Sequence, residues 1–147
     1  MENNWENYVV MQITALQAQC IIAAGEAHAV EIGVPVNIAV LDAGVQLKAF
    51  SRMDGALLGS IDIALGKAKT AALFGMATET IGEFCRPGGT SPGLEQTNGG
   101  LVVFGGGLPV LNDDGTIIGG LGVSGGSVSQ DVDVALVALA GLRKLTR

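Results

Sequence analysis

The chain has 147 residues, 48% of them hydrophobic and 15% charged, with a net charge of −6. Eight Lys plus Arg form no basic stripe to neutralise phosphates, and four Phe, one Tyr and one Trp offer few stacking platforms, so nucleic acid is excluded as the expected partner. The apolar fraction argues against disorder, while so few charges leave a small monomer short of polar covering; one domain over 1–147 that assembles as a homo-oligomer is the expectation.

The first residues, Met1-Glu2-Asn3-Asn4-Trp5-Glu6, are acidic and polar, unlike a secretory leader. A poorly ordered stretch over 1–10 and a cytoplasmic location follow as expectations. No apolar stretch reads as a membrane span. Apolar residues at three- and four-residue steps (Leu16, Cys20, Ala23, Ala24, Ala27) predict a helix from about Thr14 to Ile32, ended by Gly33 and Pro35. Val36–Leu41 and Val45–Ser51 read as two strands around the turn Asp42-Ala43-Gly44. Ser60–Phe74 is a second helix with Ile61, Leu65, Ala68 and Ala72 as its seam, and Gly66 in its middle implies close packing. Thr80–Phe84 is a short further turn, Arg86–Asn98 a loop, and Leu101–Phe104 a strand.

Between Gly105 and Gly126 the run GGGLPVLNDDGTIIGGLGVSGG combines glycine with strand formers. Asp114-Gly115 between its two apolar halves predicts an antiparallel hairpin whose glycine-rich outer ends admit a backbone or a ligand. Gly120, Gly122 and Gly125 spell G-x-G-x-x-G, but no second parallel strand follows and 141–147 holds no acidic residue, so a dinucleotide site is not the expectation. Ser127 with Gln130 fits a capping box for a last helix, with Asp131 and Asp133 in its first turn and Arg143 and Lys144 in its last. Val134, Leu136, Val137, Leu139 and Leu142 surround that helix, so one side is expected against the sheet and the other against a partner subunit.

Val34-Pro35-Val36, Val40-Leu41-Asp42-Ala43-Gly44 and Ser51-Arg52-Met53-Asp54-Gly55-Ala56 resemble the GlcG/HbpS family. Ser60–Ala64, Lys67–Ala71, Gly106–Pro109 and Gly119–Gly126 followed by Asp131 continue the likeness. The resemblance implies a profilin-like α/β (α+β) fold: a five-stranded antiparallel sheet flanked by helices in the order α-β-β-α-β-β-β-α, assembled as dimers to octamers. It also implies a ligand: haem, a corrinoid-related group as for the C-terminal domain of PduO-type proteins, or a small metabolite of diol, glycerol or glycolate catabolism. Many relatives carry Gly-His where this chain has Val45-Gln46.

His28 is the one histidine and thus the candidate axial ligand of a haem, with Met11, Met53 and Met76 as soft alternatives. Cys20 and Cys85 lack C-x-x-C spacing, and no other metal site is expected. Arg52 and Asp54 flank Met53 on one side of an extended segment, where arginine offers a fork for carboxylates or phosphates. Lys67 and Thr70 share a helix face and Lys69 points away toward solvent; Lys67 can be a desolvated base, a charge anchor or a snorkelling side chain. Ser124 stands between Gly122 and Gly126 like half of a nucleophile elbow, without a base in reach. The expected site is a pocket beside Gly106, Gly107, Pro109, Ser124, Gly125 and Gly126, rimmed by Arg52, Asp54, Lys67, Thr70 and the Arg86–Asn98 loop. Binding without turnover is the primary expectation; the alternative is a lyase or isomerase with Lys67 or Asp54 as base.

Overall fold

The computed structural model describes residues 12–143. The expected stretch 1–10, Met11 and Lys144 lie outside the described residues. Helix α1 (Ala15–Ile32) starts at a capping box in which Gln17 N–H donates to Thr14 Oγ1 (3.1 Å) and Thr14 N–H to Gln17 Oε1 (2.9 Å). Gly33, left-handed at φ 70, ends it. Strands β1 (Asn37–Asp42) and β2 (Leu47–Arg52) form the expected hairpin. Helix α2 (Gly59–Phe74) and a short α3 (Thr78–Cys85) follow, then a loop holding one 3-10 turn at Leu94–Gln96. Strands β3 (Gly107–Leu111) and β4 (Ile117–Ser124) form the glycine-rich hairpin, and α4 (Val128–Arg143) starts at the Ser127–Gln130 box, 3.2 and 2.9 Å.

The sheet is antiparallel in the order β2-β1-β4-β3 and has four strands, not five. Leu101–Phe104 is the expected strand that does not form. Val102 packs where Gly66 of α2 has no side chain, and the Val103 carbonyl sits on Gly82 of α3. That segment threads between two helices, and the sheet ends at β3.

Alternation along the strands sorts the two faces. Ile38, Val40, Leu121 and Val123 point to one side and join Ala18, Ile21, Val134 and Ala138 of α1 and α4 in the main core. Each large side chain fully buried there contributes roughly 1.5–3 kcal/mol. Ala39 and Leu41 point to the other side and meet Ala64 and Ala68 of α2. Here the glycines matter: a Cβ at Gly122 would collide with the Ala64 carbonyl, and one at Gly120 with the Ala68 carbonyl. The close approach expected of these glycines is made by α2, whose Ala64-Ala68-Ala72 seam rests on bare backbone.

Candidate functional site

Lys67 is fully buried although it carries a charge. Its Nζ donates to the Val123 carbonyl (2.8 Å) and to Asp131 Oδ2 (3.2 Å), and lies 5.0 Å from the centre of the Phe104 ring. Asp131 is 3% exposed, and its second oxygen accepts from Gly126 N–H (2.8 Å). Lys67 belongs to α2 on one face of the sheet and Asp131 to α4 on the other. They meet because Gly106, at φ +123, has no side chain: a Cβ there would lie 2.7 Å from Lys67 Nζ and 3.2 Å from Asp131 Cβ. Burial pushes the Lys67 ammonium down from the ordinary lysine value, against Asp131 and Glu79, which hold it up.

The other expected residues divide around this pair. Gly107 N–H donates to Thr78 Oγ1 (2.9 Å), so Gly106 and Gly107 are enclosed backbone. Thr70 Oγ1 donates to the Gly66 carbonyl one turn back (3.0 Å) and serves its own helix. Ser124, Gly125 and Gly126 lie at the same end of the sheet, with Gly125 against Pro35 and Val36. Arg52 pairs with Asn37 at that end and is exposed, as is Asp54 beyond it. Asn37 is fully buried; its Nδ2 donates to the Leu57 carbonyl (3.0 Å), while Oδ1 has no partner among the described residues. Pro109 lies elsewhere, in a cavity of about 420 Å³ with Ile118, Leu139 and Leu142.

Sequence reading named Asp131 as a dipole partner and as part of the family likeness, not as the partner of Lys67, and missed Thr78 and Phe104. The signal for Asp131 was weak, since a first-turn aspartate is ordinarily explained by the helix terminus alone. Beside Phe104 runs an open cleft of about 460 Å³, lined by Glu79, Glu83, Cys85, Arg86 and Glu95. Burial and the neighbouring Glu95 carboxylate push the Cys85 thiol up, so it is not a thiolate nucleophile near neutral pH.

His28 stands on α1 against α4, in a separate depression with Val137 and Gly141. Its Nε2 is 2.7 Å from Asp133 Oδ2 and its Nδ1 3.2 Å from Glu31 Oε2. The hydrogen bond to Asp133 is the main cause of a raised imidazole pKa, with Glu31 adding to it. Iron needs a nitrogen lone pair, and as placed neither nitrogen presents one; ligation requires one carboxylate to leave. Met53 Sδ accepts from Val36 N–H (3.5 Å) and is likewise engaged. His28 and Met53 are therefore both engaged within the chain in this arrangement, and either would have to give up a contact to bond a haem iron.

The profile of the family described as haem degrading protein HbpS-like matches residues 13–140. The chain belongs to the HbpS-like family. Among its HbpS-like relatives, a 15.0 kDa protein of Citrobacter freundii from the dhaT-dhaS intergenic region is 44% identical over 131 residues, covering 88% of this chain and 92% of the relative. The corrinoid adenosyltransferase PduO of Salmonella typhimurium is 41% identical over 116 residues, 78% of this chain but 34% of that enzyme. The crystal structure of a PduOC:haem complex has a TM-score of 0.83 at 38% identity, covering 88% of this chain and 94% of that one. The mixed α/β architecture with an antiparallel sheet is thus that of HbpS-like structures.

Proposed function

We propose that this protein binds a ligand without transforming it, as a homo-oligomeric accessory protein, and that the ligand is haem, a corrinoid-related ring or a small polar metabolite. The observation that carries the reading is the enclosure of Lys67. The residue best suited to be a base has no exposed surface, and its ammonium is engaged by the Val123 carbonyl and Asp131. The likeness to a PduOC:haem complex supports haem, and that to PduO supports the corrinoid class. Service in diol, glycerol or glycolate catabolism comes from the family resemblance and is part of the same proposal. Among the described residues no helix is long and apolar enough to cross a membrane; a cytoplasmic location is part of the same proposal.

The competing reading is a lyase or isomerase. A lysine pKa lowered by burial is what a lysine base needs, and this favours Lys67 over the exposed Asp54. The same burial keeps substrate away. Turnover of a small hydroxylated metabolite, abolished in Lys67→Ala with the fold intact, would establish the enzyme.

Haem titration followed in the Soret band tests the binding reading. Saturable binding by the wild type is expected; no spectral change refutes the haem branch. The same titration decides the role of His28. If His28 ligates, His28→Ala loses the ligated spectrum and Asp133→Asn, which removes the competing carboxylate, strengthens it. Equal titration of all three proteins removes His28 from the site.

Leu57, Leu58 and Leu136 are 63%, 70% and 55% exposed, which supports the oligomer. Sedimentation should show an assembly that Leu136→Glu splits, and a wild-type monomer of chain mass refutes it.

A further inference from the structure

A third cavity has neither Lys67 nor His28 in its lining. We propose that it binds a small amphipathic anion, an apolar body bearing a carboxylate or sulfonate head. It opens between the β1–β2 hairpin, α2 and residues 99–102, and holds about 600 Å³, against about 460, 420 and 220 Å³ for the other cavities described. Leu41, Val45, Leu47, Leu65 and Val102 supply its apolar side chains. The cavity is open to solvent, and Asp62, Lys69 and the backbone of Gly99 and Gly100 add polar groups to its lining; apolar side chains with a few polar groups among them are the usual lining of a small-molecule site.

The edge carries Lys69. Sequence reading turned this side chain to solvent, yet it is half-buried and its ammonium donates to the Asn98 carbonyl. An ammonium has three donors. Lys69 forms no ion pair among the described residues, so a half-buried cation sits at the lip with donors to spare. Asp62 also lines the cavity, but seven residues earlier on α2, roughly 10 Å along the axis. The two charges therefore mark opposite ends. The apolar body fits between them and the anionic head belongs at Lys69.

A second observation points to the same place. Val45 lines the cavity at φ 57, and a branched side chain in the left-handed region is a strained outlier. Such strain persists where the surroundings hold it, and it gathers at ligand sites. Here it presses the isopropyl group against the Ala39, Leu41, Ala64 and Ala68 cluster, completing the wall.

This site is independent of the proposed haem function, and its test is read separately. The probe is 8-anilinonaphthalene-1-sulfonate, followed by fluorescence, with octanoate as competitor. The variants Lys69→Met and Leu47→Glu change half-buried or exposed side chains at the lip, and thermal melts confirm that both fold. Saturable binding by the wild type, displaced by octanoate and weakened about tenfold or more in both variants, is expected from the loss or opposition of one charge-assisted contact. Absence of binding, or equal binding by wild type and both variants, overturns the proposal. Haem titration of the same variants keeps the two readings apart, because loss of the probe with haem binding unchanged leaves this site standing on its own.

Discussion

Replacing Lys67 by methionine keeps the stem and removes the ammonium. The Val123 carbonyl loses its donor, and Asp131, 3% exposed, keeps only the Gly126 N–H. Leaving one member of a buried pair uncompensated costs about 3–5 kcal/mol. At about 2–4 °C per kcal/mol for a chain of this size, the melting temperature should fall by roughly 6–20 °C. The double variant Lys67→Met, Asp131→Asn should recover at least half of the loss, because the amide oxygen still accepts from Gly126 and no buried charge is stranded. Urea unfolding followed by circular dichroism measures both. The pH dependence gives a further check. Burial sets the folded Lys67 pKa below its ordinary 10.5. Between the folded and unfolded values the unfolded chain binds more protons, so this group adds stability as pH rises from its folded pKa toward the unfolded one. Lys67→Met should lack that rise. A single-variant cost under about 1 kcal/mol, or a double variant no more stable than the single, would refute the reasoning.

Two further outcomes follow from named contacts. Gly122→Ala drives a methyl into the Ala64 carbonyl and should cost about 1–3 kcal/mol or more, since backbone cannot rotate away; an unchanged urea midpoint would contradict the close packing of α2. His28 has a raised pKa through Asp133 on α4 and Glu31 on α1, so its contribution is fully present below the unfolded value of 6.5 and is lost as pH rises through the folded one. Melts at about pH 6 and pH 8.5 should therefore show a wild-type decline that is absent in His28→Gln.

Local signals made most of the elements legible. Gly33 with Pro35, Ser127 with Gln130, and Asp114-Gly115 each determine a boundary through contacts a few residues apart. The fifth strand failed for the opposite reason. Leu101–Phe104 has strand-forming residues, but its fate is decided by the missing side chains of Gly66 and Gly82, remote in the chain. The site shows the same division. Lys67 was visible as a lysine beside an alanine seam, whereas Asp131, 64 residues on, settles what it does. His28 was visible as a lone imidazole, and Asp133, 105 residues away, takes its Nε2. The glycines announced close approach without naming what approaches.

The gap at Gly106 also bears on how the molecule comes apart. A sheet ordinarily insulates the layers on its two sides, so that either can loosen while the other holds. Here a bond from α2 to α4 runs past the end of the sheet at a point with no side chain, and Asp131 in turn holds the start of α4 through Gly126. Opening either layer strands a charge belonging to the other. The two layers are thereby yoked into one cooperative unit, and partial openings are diverted to the loop-rich margin over 86–100, where most residues are exposed.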